Sequence, residues 1–215
     1  MEHSGPPWGE TVVKAVLTNI PILGPTAEVI VGDIRARRAA RTGEFLTRIS
    51  QVQNERDFLI RLTADPRLER LFVEAVEAAI DSAVEAKRRV LANAVADASI
   101  DPMAMDSSEL LVEALKSLDV QHVRALALLA DEWDAASSDT SEEVTWGTSD
   151  VWKALPQPLR ATLVRTGVGM PSPGTYIARS SPARSEGITG SGLDVVASLR
   201  AEGWQTEAAA RGWGR

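Results

Sequence analysis

The densest group of chemically capable side chains in this sequence is basic and falls in two short runs. If the two helices that carry these runs pair antiparallel about a corner near Asp65, residues 41 and 88 lie opposite each other. Two basic runs that lie side by side repel each other unless an anionic group lies between them. The runs therefore form a candidate binding site, here called the basic belt: Arg35, Arg37, Arg38, Arg41, Lys87, Arg88 and Arg89.

Several occupants would satisfy the charge of the basic belt. A phosphate backbone, an anionic lipid surface and an acidic partner protein each supply anionic groups. Alternatively, the cationic heads extend into water, or the chain's own acidic middle segment covers them. The sequence leaves these alternatives open.

Acidic side chains form a second group, in which Glu74, Glu77, Asp81 and Glu85 recur at steps of three or four residues. This spacing places them on one face of a helix. Helical-bundle sites for two metals combine such carboxylates with Glu-x-x-His pairs, and the sequence contains no such pair. We therefore interpret the stripe as a solvated helix face and predict no metal site.

No recognisable catalytic set accompanies these charges. The chain has no cysteine, and its histidines are His3 and His122. No nucleophile elbow accompanies His122, and the glycine-rich stretch at residues 187–192 lacks the lysine of a phosphate-binding loop. The sequence predicts a protein that is not an enzyme and that uses no cofactor.

Two long helices are predicted to position the belt. The first spans residues 26–63 and carries an apolar ladder at steps of three and four. The second runs to Ser99 and opens at Asp65-Pro66, an N-cap acid followed by a proline at the first helical position. Because only a short corner separates them, they should form a long antiparallel helical hairpin. The ladder is Phe45, Ile49, Val52, Arg56 and Leu59.

Charge is distributed unevenly along the chain. The net charge of −7 disfavours non-specific nucleic-acid binding by the chain as a whole. Residues 101–150 hold 2 basic and 12 acidic side chains, a net charge of −10. Residues 151–215 hold 8 basic and 4 acidic side chains, a net charge of +4. The absence of cysteine fits a reducing compartment, so we expect a cytoplasmic protein.

The C-terminal half predicts shorter helices and a small β-hairpin. A capping-box pattern at Asp106–Glu109 opens one helix, and Asp119 can cap the next. Residues 137–150 form an acidic loop, and residues 175–178 are a strand candidate. Gly167 can take the left-handed cap that ends a helix, and Thr189 can cap the last helix.

The sequences LVRTGVG and ITGSGLDVVASL resemble the end of the third helix and the start of the closing helix of a winged-helix domain. The resemblance covers residues 110–199. It implies three helices, a two-stranded wing and a closing helix. The matching residues are Leu163, Gly167, Ile188, Thr189, Gly192 and Leu199.

Many winged helices bind DNA through the third helix and the wing, and others bind proteins. On the first alternative, the resemblance implies that the candidate DNA-binding residues are Arg160 and Arg165 in the helix and Arg179 and Arg184 in the wing. An acidic loop directly before this helix would repel a bound duplex. DNA binding is therefore the alternative to a protein-interaction function.

The N-terminal segment raises the question of a membrane. Residues 11–31 are apolar, but Lys14, Pro21 and Glu28 interrupt them, so no run of about 20 apolar residues exists. We expect this segment to dock onto the hairpin, with association with an anionic membrane as the alternative. The pattern Ile20, Pro21, Leu23 and Gly24 before a long hairpin also resembles uncharacterised bacterial helical proteins.

These observations predict a mainly α protein with four parts. They are an N-terminal docking segment at residues 1–25, a helical hairpin at 26–100, a winged-helix-like domain at 101–203 and a loose tail at 204–215. The expected function is a non-catalytic protein-interaction or regulatory module. Its expected partner is another protein or a second copy of itself, since apolar stripes and alanine seams favour helix pairing.

Overall fold

The computed structural model describes residues 25–138, 149–170 and 187–204, with side chains described from residue 32 to 135 in the first range. The fold is mainly α with one small antiparallel sheet, as predicted. Two compact units divide the chain, Met1–Val112 and Glu113–Arg215. The division falls inside a helix rather than near residue 101, where the sequence suggested it.

The first unit contains α1 (Pro25–Val52), α2 (Glu55–Ala64), α3 (Pro66–Asp81) and α4 (Glu85–Ile100), followed by a 3₁₀ turn at Pro102–Ala104. Helix α5 (Met105–Lys116) crosses from the first unit to the second. The second unit contains α6 (Val120–Ser138), α7 (Asp150–Ala154), α8 (Gln157–Arg165), β1 (Gly169–Met170), β2 (Gly187–Ile188) and α9 (Gly190–Ala201).

The two long arms predicted for the hairpin are each broken once, so the prediction of continuous helices is wrong. The first break is at Asn54, whose side chain accepts hydrogen bonds from the N–H groups of Arg56 and Asp57 and starts α2. The second is at Ser82, whose hydroxyl accepts from the N–H of Val84 at 3.1 Å. Both side chains offer the backbone an alternative to helical hydrogen bonding, and neither break needs glycine or proline.

The break at Ser82 changes the topology of the bundle. Helix α4 folds back along α3 and runs parallel to α1, as the contacts Arg48 to Asn93 and Gln53 to Ser99 show. Helices α1 and α3 are antiparallel, because Arg38 contacts Asp81 whereas Phe45, further along α1, contacts Phe72, nearer the start of α3. The first unit is therefore a bundle of α1, α3 and α4, with the short α2 joining α1 to α3.

The core of this bundle has an aromatic centre and a buried helix. The ring of Phe72 lies 6.1 Å from that of Phe45 and 5.7 Å from that of Phe58, in edge and tilted arrangements that favour aromatic pairs. Helix α4 is buried on most of its surface, which fits its alanine content, and a narrow polar stripe along Glu85, Arg89, Asn93 and Asp97 is not buried. Its buried residues are Ala86, Lys87, Val90, Leu91, Ala92, Ala94, Val95, Ala96, Ala98 and Ser99.

In the second unit, helix α8 ends as the sequence predicted. Gly167 has φ +74°, and its N–H binds the carbonyl of Val164. The N–H of Val168 binds the carbonyl of Leu163, which completes a Schellman motif. Glycine adopts this left-handed conformation without the strain that a Cβ introduces, so it is the preferred residue here.

Thr189 joins the end of α8 to the start of α9. Its hydroxyl accepts from the N–H of Gly192 at 3.0 Å, which caps α9, and donates to the carbonyl of Gly167 at 2.7 Å. Strands β1 and β2 pair antiparallel, with Gly169 opposite Ile188. The predicted left-handed cap and N-cap are both confirmed.

Several predicted features lie outside the described residues. They are the docking segment before residue 25, most of the acidic loop, the strand candidate at 175–178, and the tail beyond residue 204. The wing arginines Arg179 and Arg184 also lie outside them.

Candidate interaction surface

Most cations of the basic belt have acidic partners within the same bundle. Arg88 forms a two-pronged contact with Glu44, at 2.9 and 3.0 Å. Arg38 lies 3.2 Å from Asp81, and Arg89 pairs with Glu85 one turn earlier on its own helix. Arg37 has a longer, exposed contact of 3.9 Å with Asp33. Four positive charges of the belt are therefore offset internally.

Two belt arginines also satisfy the end of a helix. Arg41 donates to the carbonyl of Ile80 at 2.5 Å, and Arg88 donates to the carbonyl of Ser82 at 3.3 Å. Helix C-termini carry unpaired carbonyls and a partial negative charge. Arg41 and Arg88 thus both contact the C-terminus of α3. The antiparallel pairing that predicted their proximity is wrong, because α4, which carries Arg88, runs parallel to α1.

The two remaining belt cations differ in exposure. Arg35 is exposed on α1, whereas Lys87 is buried on α4, with 4% of its surface accessible. Lys87 therefore cannot bind an external anion in this conformation. The belt is mainly a structural network within the bundle.

The acidic stripe is also divided by the fold. Glu74, Glu77 and Asp81 lie on α3, but Glu85 begins α4 beyond the break at Ser82. Among the described residues, no group of three or more His, Cys, Asp or Glu side chains is arranged to hold a metal ion.

The candidate DNA-binding arginines of α8 are not presented together. Arg165 is exposed, whereas Arg160 is half-buried and its Nε has no hydrogen-bond partner. Elsewhere in this unit, Arg200 pairs with Asp131 and with Asp134 of α6. On the described part of α8, a single exposed arginine is thus available for a phosphate contact.

One surface of the first unit is apolar, and helical periodicity did not predict it. Five large apolar side chains are exposed on segments that meet at one end of the bundle, here called the apolar end: Val52, Ile60, Ile100, Met103 and Leu110. Met103 is 87% exposed, Leu110 is 73% exposed and Ile60 is 56% exposed. Single exposed apolar residues are ordinary, but grouped ones mark interaction surfaces.

Contacts of Ser99 bring these segments together. The Ser99 hydroxyl bonds to Oε1 of Gln53 at 2.7 Å, next to Val52. The Ser99 carbonyl accepts from Arg61 at 2.5 Å, next to Ile60. Ile100 follows Ser99 directly, and the 3₁₀ turn that carries Met103 comes next.

An ion-pair cluster fixes Leu110 at the same end. Arg67, in the first turn of α3, binds Asp106 and both carboxylate oxygens of Glu109 on α5. Arg70 adds a contact of 3.5 Å to Glu109. The hydrogen bond between Arg67 and Glu109 raises the pKa of the guanidinium and lowers the pKa of the carboxyl. Leu110 follows Glu109 and extends from this cluster into solvent.

Sequence periodicity could not identify the apolar end. Val52 belongs to the predicted buried ladder, but α1 ends there, so the helix axis changes before Arg56 and Leu59. Leu110 lies on the same helix as the buried Leu115, so its apolar type alone does not show that it is exposed. Two signals could have indicated the surface: the turn after Asp101-Pro102, and the five-residue step from Leu110 to Leu115, which departs from the three- and four-residue steps of a buried stripe.

Comparison of the chain with protein-family models, curated proteins and solved structures gives no match. Within the described residues, no helix combines the length and the apolar character needed to cross a membrane. The proposed function therefore rests on the described surface itself.

Proposed function

We propose that this chain is a non-catalytic protein-interaction module and that the apolar end binds its partner. The observation that carries the proposal is the exposure of Val52, Ile60, Ile100, Met103 and Leu110 around one structural junction. Burial of such side chains supplies the main driving force of protein association. The partner is a second copy of the chain or a different protein, and we propose a cytoplasmic location for either complex.

The contacts of the basic belt also support the proposal. The basic belt is largely offset by Glu44, Asp81, Glu85 and the C-terminus of α3. An external anion would have to displace these partners. It could displace the exposed ion pairs at little cost, but displacing Glu44 from the half-buried Arg88 would be costly. A hydrophobic interaction surface therefore accounts for the described residues better than an anion site does.

Site-specific photo-crosslinking in the native cells tests this proposal. A benzophenone amino acid in place of Met103 should give a discrete covalent adduct with a protein, because the 87%-exposed side chain would lie in the interface. The matched control replaces Glu77, which is exposed on α3 about 16 Å along the helix from its start. Adducts at both positions in equal yield, or at neither, would contradict the proposal.

DNA binding by a winged-helix-like second unit remains the alternative proposal. It is supported by the Schellman end of α8 at Gly167, the Thr189 cap of α9 and the antiparallel pair β1 and β2. It is weakened by the partial burial of Arg160.

Fluorescence anisotropy with random-sequence duplex DNA at low salt tests the alternative. If the second unit binds DNA, Arg160→Ala combined with Arg165→Ala should abolish binding while circular dichroism stays unchanged. For the wild-type chain, the logarithm of the binding constant should fall linearly with the logarithm of the salt concentration. No binding by the wild-type chain at low salt would remove DNA as a partner.

A further inference from the structure

We propose that the segment bound by the apolar end is a cationic amphipathic helix of the partner protein. This inference rests on the proposed function and adds the chemistry of the partner. It follows from three properties of the same surface: its acidic rim, the direction of the helices that end there, and the absence of a strand edge.

The rim of the apolar end is acidic. Glu55, Asp57, Asp97 and Asp101 lie on the segments that carry the exposed apolar side chains. Among the described residues, no basic side chain forms an ion pair with any of these four carboxylates. Partial burial of the Asp97 carboxyl raises its pKa, which is the expected response of a carboxylate without a compensating cation.

Nearby arginines cancel only part of this charge. Arg61 keeps its positive charge although its guanidinium is hydrogen-bonded to the neutral carbonyl of Ser99, and the exposed Arg56 adds a second positive charge. Arg67 is matched by Asp106 and Glu109. The four carboxylates outnumber Arg56 and Arg61, so the rim keeps an excess of negative charge around the apolar side chains.

Two helices add to the negative potential. Helices α1 and α4 run parallel, so both C-termini lie at the apolar end, and neither has a basic residue in its last turn. A helix C-terminus carries a partial negative charge of about half an elementary charge. The N-termini of α2 and α3 at this end already have their own side-chain caps, Asn54 and Asp65. At the C-terminus of α4, Arg61 already donates to the carbonyl of Ser99, so the C-terminus of α1 is the one that a cationic partner would meet.

The secondary structure of the first unit favours a helical partner. A strand of the partner could bind by extending an exposed sheet edge, and the described residues of this unit contain no strand. The exposed side chains of the apolar end, one of them the flexible Met103, can instead pack against the apolar face of a partner helix. Lysine and arginine on the flanks of that helix would meet the acidic rim.

The other occupants fit this rim less well. A second copy docked symmetrically on the same surface would bring two acidic rims together. An anionic membrane would be repelled by the same carboxylates. A cationic helix is the occupant for which apolar burial and charge act in the same direction.

Two labelled peptides of about 18 residues, long enough for five helical turns, test the inference. One is an amphipathic helix of leucine and lysine, and the other has glutamate at every lysine position. Fluorescence anisotropy with the full chain should show at least about tenfold tighter binding of the lysine peptide. Equal affinity for the two peptides would overturn the inference.

Paired variants locate the binding. Ile100→Ser combined with Met103→Ser should weaken lysine-peptide binding about tenfold. Asp57→Asn combined with Asp101→Asn should weaken it severalfold and reduce its salt dependence, since asparagine keeps the cap at position 101. The matched control, Glu77→Gln combined with Asp194→Asn, removes two exposed carboxylates elsewhere and should change little.

The outcomes separate this inference from the proposed function. If the control variant weakens binding as much as the rim variant, the attraction is only that of the net charge and the inference is wrong. A dimer in sedimentation velocity that Met103→Ser dissociates, or Met103-dependent binding to anionic vesicles, would also overturn it. A protein adduct at Met103 without lysine-peptide binding would leave the proposed function in place and reject the cationic helix.

Discussion

Phe58→Ala is expected to lower the free energy of unfolding by about 3–5 kcal/mol. Phe58 is 1% exposed and packs against Phe72, which in turn contacts Phe45. Truncation would remove the aromatic contact between the short α2 and α3 and would leave a cavity at the aromatic centre. Urea unfolding followed by circular dichroism measures the loss.

Ile60→Ala on the same helix is the matched control. Ile60 is exposed, so its truncation should change stability by less than about 1 kcal/mol. It should instead weaken partner binding, because Ile60 belongs to the apolar end. Comparable losses of stability in the two variants would mean that α2 presents a different face to the core than the structure shows.

Gly192→Ala is expected to destabilise the second unit by about 3 kcal/mol. A Cβ at this position would lie 2.3 Å from the carbonyl oxygen of Val168 and 2.7 Å from Cγ1 of Ile188. The carbonyl belongs to the backbone and cannot move aside without disturbing the junction that Thr189 forms with Gly167. The first turn of α9 would have to separate from the strand pair.

Gly190→Ala provides the comparison, because a Cβ there meets no atom within 4 Å. This variant should be neutral or more stable by up to about 1 kcal/mol, since alanine restricts the unfolded chain more than glycine does. Urea unfolding gives the change in each variant, and hydrogen exchange locates it in α8, α9 or the strand pair. A neutral Gly192→Ala variant would contradict the close approach of α9 to Val168.

Local rules predicted the ends of elements well. The Asp65-Pro66 start of α3, the Gly167 end of α8 and the Thr189 cap of α9 each depend on a few adjacent residues whose geometry is nearly fixed. The mainly α class was predictable for the same reason, because helical periodicity is a local property of the sequence.

The path of the chain through the bundle was not predictable in the same way. Ser82 and Val84 are both compatible with a helix interior, so the local hydrogen bond between the Ser82 hydroxyl and the N–H of Val84 supports the break between α3 and α4 but does not force it. The break is favoured by tertiary contacts, in which Arg41 and Arg88 satisfy the freed carbonyls of Ile80 and Ser82. Propensity is a weak guide where such long-range contacts decide.

The basic belt shows why charge patterns alone mislead. In sequence, seven cations in two runs suggest a site for an external anion. In the fold, these cations pair with acidic side chains of other helices, such as Glu44 for Arg88 and Asp81 for Arg38. The apolar end was not predicted because the sequence pattern makes Val52 and Leu110 look like core residues. Only the positions of the helix ends and axes show that they are exposed.

The yield of protein adducts from a photo-crosslinker at Met103, relative to the yield from the same group at Glu77, tests the central claim most directly. Both positions are exposed, but only Met103 lies at the apolar end. The proposed function predicts an adduct yield at least about tenfold higher at Met103, and loss of that adduct when Ile100→Ser is added. Equal yields, or an adduct insensitive to Ile100→Ser, would show that the apolar end is not the interaction surface.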